Sequence, residues 1–243
     1  MQRYFLSKEE YEQNIIHGDD VFHIFKVMRG KIGDKIEVCC DSEGYVAQIT
    51  SVSSTEVCFN KIEKIENLEV KKAKLTLLQG LAKGDKNDEI IKHSAELGVD
   101  EIYLLSMKRS IVKFDSSKLD NKLARFNKIS KEASEQAHRI SVPEVKIINK
   151  FNEIDFNNYD LKLLLDEEEA KKIDGLLLRQ VDFNNKKSIL FVIGPEGGID
   201  SSERDYLINN GFICVSVGKN ILRTETASLA FLAMINYEFM KAR

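Results

Sequence analysis

The sequence predicts an α/β protein in two parts: a small β-rich N-terminal domain over residues 1–72, and a larger domain over residues 73–243 built on a parallel sheet. Three observations carry this. Short alternating segments separated by turn residues fill the first 70 or so positions, the texture of a small β-barrel. From Ala73 onward strands alternate with helices, which implies a parallel sheet covered on both faces. The strand candidates there, Ile189–Ile193 above all, are apolar without alternation, as strands buried on both faces are.

In chain order, Asp19-Asp20 can cap a short helix carrying Val21, Ile24, Phe25 and Met28 on one face, and Gly30 ends it. Ile36, Val38 and Cys40 alternate as a half-buried strand, followed by strands over Tyr45–Val52 and Glu56–Ile62. The charged stretch Lys61–Lys74 reads as a linker or a final edge strand. Leu75–Gln79 is then a strand and Asp85–Leu97 a helix, with Gly98 at its C-terminal end. Ile102–Leu105 is the next strand. A long helix follows from about Ser117 to Ile140, striped by Leu123, Phe126, Ile129, Ala133, Ala137 and Ile140. Leu161–Leu165, Ile189–Ile193 and Ile213–Val217 read as further strands. Helices are expected near Glu167–Val181, Ser201–Asn209 and Glu225–Lys241, the second opened by a capping-box-like pair, Asp200 and Glu203.

Composition narrows the function classes. Hydrophobic residues make up 43% of the 243, enough for a substantial core. No apolar run approaches the roughly 20 residues of a membrane helix, and Met1–Leu6 lacks a signal-peptide core, so a cytoplasmic protein is expected. Cys39, Cys40, Cys58 and Cys214 show no C-x-x-C spacing, and His17, His23, His93 and His138 form no H-E-x-x-H. No metal site is expected. A net charge of −3 argues against broad, nonspecific nucleic-acid binding. Local basic patches remain: between Asn121 and Arg139 stand Lys122, Arg125, Lys128, Lys131 and Arg139 against Glu132 and Glu135.

In a parallel α/β sheet, ligands bind beyond the carboxyl ends of the strands. Three loops leave such ends here: Asp166–Glu168, Gly194–Gly198 and Gly218–Ala227. Glycine lets the backbone approach a ligand closely, although a Gly-Gly after a strand reads first as a tight turn. Neither G-x-G-x-x-G nor G-x-x-x-x-G-K-[ST] occurs, which disfavours the usual dinucleotide and ATP sites. Leu222-Arg223-Thr224-Glu225-Thr226-Ala227 reads in part as a helix start, with Thr224 as cap and Glu225 favoured by the dipole. Arg223 is not explained that way, because a cation is disfavoured at a helix N-terminus. It wants an anion or a polar ligand group.

Gly194-Pro195-Glu196-Gly197-Gly198 followed by Ile221-Leu222-Arg223-Thr224-Glu225-Thr226-Ala227 closely resembles the C-terminal signature of the SPOUT methyltransferases, specifically the RsmE type, which methylates N3 of a uridine in bacterial 16S ribosomal RNA. Lys83-Gly84-Asp85-Lys86, Ala95-Glu96-Leu97-Gly98-Val99, Glu132-Ala133-Ser134-Glu135-Gln136 and Arg139 stand in the family's order. Arg3-Tyr4-Phe5, His23 to Arg29 and Gly33-Asp34 resemble its PUA-like domain. One departure is visible. Where the family shows Lys-Ala-Thr-Glu, this chain has His93-Ser94-Ala95-Glu96, with Lys92 one position earlier, a turn of roughly 100° on a helix.

The resemblance implies a SPOUT-type parallel sheet with a deep C-terminal trefoil knot, a PUA-like β-barrel domain, a homodimer, and S-adenosylmethionine as cofactor. The expected cofactor set is Leu165, Ile193, Gly194, Pro195, Glu196, Gly197, Gly198, Val217, Gly218, Ile221, Leu222, Arg223, Thr224, Thr226 and Ala227. Arg223 is the expected catalytic residue, orienting the base or stabilising charge on its carbonyl oxygens. Glu196 and Glu225 are weighed as general base against a structural role. RNA contacts are expected from Arg3, Arg29, Lys83, Lys86, Arg109 and Arg139, with Tyr4 and Phe5 near them as stacking aromatics. Two other readings stay open: a SPOUT enzyme acting on tRNA or a ribose 2′-hydroxyl, and a non-catalytic RNA-binding ribosome-assembly factor.

Overall fold

The structure is a computed structural model and describes residues 1–66, 73–114 and 118–241. The chain divides into two compact units, one of Met1–Val70 with Lys131–Val142, the other of Lys71–Ser130 with Pro143–Arg243. The expected boundary near residue 72 and the expected helix start at Ser117 lie outside the described residues.

In the first unit, β1 (Arg3–Phe5), β2 (Ile15–Ile16), β3 (Lys35–Cys40), β4 (Glu43–Val52) and β5 (Val57–Lys64) form one sheet in the order β1-β3-β4-β5-β2. β1 and β3 pair in parallel, and the β3–β4, β4–β5 and β5–β2 pairs are antiparallel. Two register shifts between β4 and β5, at Val46/Ala47 and Ile49/Ser51, curl the sheet, since bulges add twist. Tyr4, Ile16, Val38, Ile49 and Phe59 fill its core. Helix α1 (Lys8–Gln13) was not expected. Ser7 and Glu10 cap it reciprocally, a Ser-x-x-Glu signal legible in the sequence.

The helix expected from Asp19 is α2 (Asp19–Phe22), which continues as a π-helical turn over His23–Val27. Gly18 stands at its N-cap, and the two aspartates lie inside the first turn. Val21 and Ile24 are buried as expected, but Met28 is 52% exposed. The wider step, seen in the Met28 N–H donating to the His23 carbonyl at 2.9 Å, turns the later residues off the apolar face.

Residues 131–142 add a polar cluster to this unit. Arg3 donates to Glu37 at 2.9 Å and to the Arg139 carbonyl at 2.7 Å. Glu135 accepts from the Phe5 N–H at 3.3 Å and faces Lys131 at 3.5 Å. Burial, with Asp20 nearby, pushes the Glu135 carboxyl up to about 7 against the pull of Lys131.

The second unit is a six-stranded, wholly parallel sheet. Its strands are β6 (Lys74–Gly80), β7 (Glu101–Leu105), β8 (Glu144–Ile148), β9 (Leu161–Leu165), β10 (Ser188–Ile193) and β11 (Ile213–Val215), in the order β11-β9-β10-β6-β7-β8. Its helices are α3 (Lys86–Glu96), α4 (Leu119–Gln136, whose last turns belong to the first unit), α5 (Glu167–Lys171), α6 (Ser201–Asn209) and α7 (Thr224–Lys241). Side chains alternate across a strand. Ile189, Phe191 and Ile193 of β10 therefore enter one core with Phe231 of α7 and Ile90 of α3, while Leu190 and Val192 enter another with Leu207 of α6. Phe191 stacks on Phe231 with ring centroids 4.1 Å apart.

Four expectations are corrected. Strand β8 was not foreseen: a five-residue edge strand behind Pro143 pairs with β7 alone and leaves a weak pattern. The long helix stops at Gln136, and His138 adopts a left-handed φ of 54°, so Ile140 lies beyond the stripe. The helix expected over Glu167–Val181 is only α5. Gly175 returns so close that a Cβ there would stand 2.0 Å from the Glu169 carbonyl oxygen, and Leu177 then bridges Ser216. At α6, Asp200 caps Ser202, but Glu203 accepts instead from the Lys108 N–H at 2.9 Å, so no reciprocal box forms.

After β11 at the edge of the sheet, the chain passes the β9–β10 connection, bridged to it at Leu177 and Ser216, and returns to the carboxyl end of β10, where α7 begins.

Candidate active site

The carboxyl ends of β9, β10 and β11 open into one cavity of about 600 Å³, within the usual range for small-molecule pockets. Leu165 and Ile193, the last residues of β9 and β10, line it. Gly194, Pro195, Glu196 and Gly198 form one wall; Val217, Gly218, Ile221 and Leu222 form another; Arg223, Thr224 and Ala227 close it at the start of α7. Of the expected cofactor residues, Gly197 and Thr226 do not line the cavity. The Gly197 carbonyl instead accepts from Arg109 at 3.3 Å, and Thr226 is exposed on the first turn of α7.

Two glycines shape this space differently. A Cβ on Gly194 would stand 2.7 Å from Ile199 Cγ1, so the loop needs glycine to fold back on itself. A Cβ on Gly218 would meet nothing within 4 Å. Gly218 lines the cavity, and the space beside it is open.

Thr224 joins the two loops. Its hydroxyl donates to the Gly194 carbonyl at 2.6 Å and accepts from Gln79 Nε2 at 2.8 Å. Gln79 is fully buried at the end of β6 and also donates to the Gly80 carbonyl at 2.9 Å. The Thr224 side chain is therefore a strut between loops, while α7 starts from the Arg223 carbonyl, which accepts from the Ala227 N–H at 2.8 Å. Arg223 itself is exposed at the cavity rim.

Charge is divided around the cavity. On one side Asp166, 7% exposed, caps α5 and accepts from Arg204 Nε at 2.6 Å. On the other, Lys86 lies 3.0 Å from Glu196 and 3.5 Å from Glu225. Its hydrogen bond to Glu196 holds the Lys86 ammonium above its usual range. Burial opposes ionisation of Glu196, but the Lys83 N–H and Lys86 outweigh it and keep the carboxyl below the usual range. A carboxylate so engaged positions Lys86 and is poorly suited to accept a proton at neutral pH.

Four of the six expected RNA contacts face outward or line the cavity: Arg29 and Lys83 are exposed, and Lys86 and Arg109 stand at the cavity. Arg3 and Arg139 do not, being 4% and 2% exposed. Arg3 serves the polar cluster of the first unit, and neither guanidinium is presented to a phosphate. Tyr4 is also buried, its hydroxyl 2.9 Å from His23 Nδ1. Lys92 is exposed on α3, and His93 beside it pairs with Glu96 at 2.8 Å. Among the described residues no His, Cys, Asp and Glu side chains cluster as metal ligands, and no helix is long and apolar enough to cross a membrane.

The family model for an RNA methyltransferase domain matches residues 69–236, and that for an RNA methyltransferase PUA domain matches residues 16–62. Ribosomal RNA small subunit methyltransferase E of Bacillus subtilis is 35% identical over 98% of this chain and 97% of its own length. The chain belongs to the small subunit methyltransferase E family. A second E-type relative, from Borreliella burgdorferi, is 31% identical over 87% of this chain and 85% of its own. The E-type enzyme of Neisseria gonorrhoeae, solved bound to S-adenosylmethionine, is 25% identical with a TM-score of 0.80 over 98% of both chains. A Legionella pneumophila protein solved with the same cofactor is also 25% identical, with a TM-score of 0.85 over 98% of both.

Within this E-type chain the expected Asp166–Glu168 loop does line the cavity, whereas Gln79 and Arg204 were not expected as parts of the site. Gln79 carried a signal, a polar residue ending the apolar run Leu75–Leu78. Arg204 carried none, because α6 brings it to the cavity only in the folded chain.

Proposed function

We propose that this protein transfers the methyl group of S-adenosylmethionine to N3 of a uridine in the 16S ribosomal RNA of the small subunit. The observation that carries the proposal is the cavity walled by the Gly194–Gly198 and Val217–Leu222 loops, with open space where a Gly218 side chain would stand. When bound, the cofactor supplies a methyl group on a sulfonium, electrophilic enough to need no further activation. Backbone groups of the two loops would hold it, and the Asp166–Arg204 pair would bound the pocket beside α5. Holding both reactants in line can contribute about 7–11 kcal/mol.

The protein has a second task, because uridine N3 carries a proton that must leave as the N–C bond forms. Loss of that proton to solvent leaves negative charge shared by N3 and the base carbonyl oxygens until the N–C bond is made. Arg223 at the rim and Lys86, kept charged by Glu196, are the cations placed to stabilise it. Residues 1–72 supply an RNA-binding PUA-like domain and residues 73–243 the methyltransferase domain. Arg29, Lys83, Lys86 and Arg109 contact phosphate or base. The working form is a homodimer, and a ribosomal substrate places it in the cytoplasm.

Purified protein, labelled cofactor and methylation-deficient small subunits test the reading. The expected product is N3-methyluridine in 16S RNA, and absence of label from the RNA would refute it. Sedimentation should give twice the mass of one chain.

A further inference from the structure

We propose that residues 22–35 form a docking surface for unpaired RNA, where a splayed-out base stacks on Phe22 and phosphates meet Lys26, Arg29, Lys31 and Lys35. This rests on the RNA reading above and names the form of RNA that the first unit takes. Arg29 apart, no role described so far uses these side chains. Helical spacing puts Phe22, Phe25 and Lys26 on one face, turned away from the buried Val21 and Ile24. The π-helical turn then swings Val27 and Met28 outward, and Ile32 follows in the turn where the Asp34 N–H donates to the Lys31 carbonyl at 3.1 Å. Phe22 is 63% exposed, Val27 57% and Ile32 72%. Large apolar side chains gathered in water and rimmed by charge mark an interaction surface. Helical turns of the π type also recur at functional sites.

Charge decides the occupant. On a chain of net charge −3, residues 26–35 carry Lys26, Arg29, Lys31 and Lys35 against one acid, Asp34. Asp34 is engaged by the Lys31 N–H at 2.8 Å. All four cations are exposed, and among the described residues none of them forms an ion pair. Lys26 lies over the Phe25 ring, 4.9 Å from its centroid. The partner is therefore an anion that also offers apolar faces. Single-stranded RNA offers both, phosphates for the cations and base faces for the ring. In a duplex the bases cover one another, so only unpaired nucleotides present those faces. The segment lies within residues 16–62, matched as an RNA methyltransferase PUA domain, which favours RNA over an anionic membrane or a second copy of this chain.

Fluorescence anisotropy on the full chain compares a labelled single-stranded oligouridylate with a labelled RNA duplex of equal phosphate number, across a salt series. Phe22→Ala should weaken the single strand by about tenfold, the scale of one stacked base, and leave the duplex unchanged. Phe22→Trp keeps a ring and should bind the single strand as wild type does. Lys26→Gln should weaken both RNAs and lower the salt slope by about one. Melting curves verify that each variant is folded. Unchanged single-strand affinity in folded Phe22→Ala, or equal losses on both RNAs, overturns the surface. If Phe22→Ala fails to fold, a Lys26→Gln protein with wild-type affinities and salt slope overturns it. Phosphatidylglycerol vesicles and sedimentation without RNA test the other occupants. Vesicle binding or self-association that Phe22→Ala abolishes while single-strand affinity is unchanged gives the patch to that partner and overturns the proposal. Labelling of small subunits is scored separately: its failure removes the methyltransferase reading, whereas label without a Phe22 effect on single-strand affinity removes only this surface.

Discussion

Replacing Thr224 with valine probes whether the two loops are one device. Valine has the shape of threonine without the hydroxyl, so no cavity opens and the effect reads out hydrogen bonding. Thr224 is 6% exposed and its hydroxyl makes two bonds: it donates to the Gly194 carbonyl at 2.6 Å and accepts from Gln79 Nε2 at 2.8 Å. Each bond contributes roughly 1 kcal/mol net, and leaving buried partners unsatisfied adds to that. Gln79 Nε2 keeps its bond to the Gly80 carbonyl, which limits the loss to about 2–3 kcal/mol in total. If the loss falls on folding, the melting temperature drops by about 4–10 °C for a chain of this size. If the strut chiefly holds the loops in register for the cofactor, affinity for S-adenosylmethionine falls by about 30- to 150-fold. Scanning calorimetry and titration calorimetry on the same protein separate the two. Thr224→Ser keeps the hydroxyl and should restore most of either loss. A Thr224→Val protein with wild-type melting and wild-type cofactor affinity refutes the reasoning.

Three further outcomes are expected. Gly218→Leu should fold with stability within about 0.5 kcal/mol of wild type, because its Cβ meets nothing, yet lose cofactor binding by calorimetry; retained binding would mean the cofactor site is elsewhere. Arg223→Ala should keep cofactor affinity while turnover on small subunits falls about 100-fold, and full turnover with cofactor bound removes Arg223 from the mechanism. Glu135→Gln tests linkage. The folded carboxyl is raised from 4.5 to about 7, so its favourable contribution is present below pH 4.5 and is lost as pH rises through about 7. The variant should therefore match wild type in acid and exceed it at about pH 8 by on the order of 2 kcal/mol in urea unfolding. A constant gap across pH would contradict the buried placement.

Strands were read well where burial on both faces leaves an unbroken apolar run, as in Ile189–Ile193, and a helix where a capping residue marks its start, as Asp200 does for Ser201–Asn209. The reading failed where distant contacts overrule local preference. Glu167–Val181 has helical composition, but the chain leaves the helix after Lys171 because Leu176–Leu178 pair with Ser216. The apolar stripe from Asp19 breaks at Met28 because a π-helical turn changes the phase, and no local pattern announces that turn.

By itself the sequence determined the parallel sheet, the two glycine-containing loops that leave it, and the motif order that carries the family. These depend on residue type and short spacing, which chain order preserves. Only the tertiary structure decided which charges meet. It buried Arg3 and Arg139, set Lys86 between Glu196 and Glu225, and brought Arg204 to Asp166 across 38 positions of chain. It also turned Thr224 from a helix cap into a strut reaching Gly194 and Gln79. A side chain's role depends on what lies within a few ångströms, and for residues so far apart in sequence only folding sets that distance.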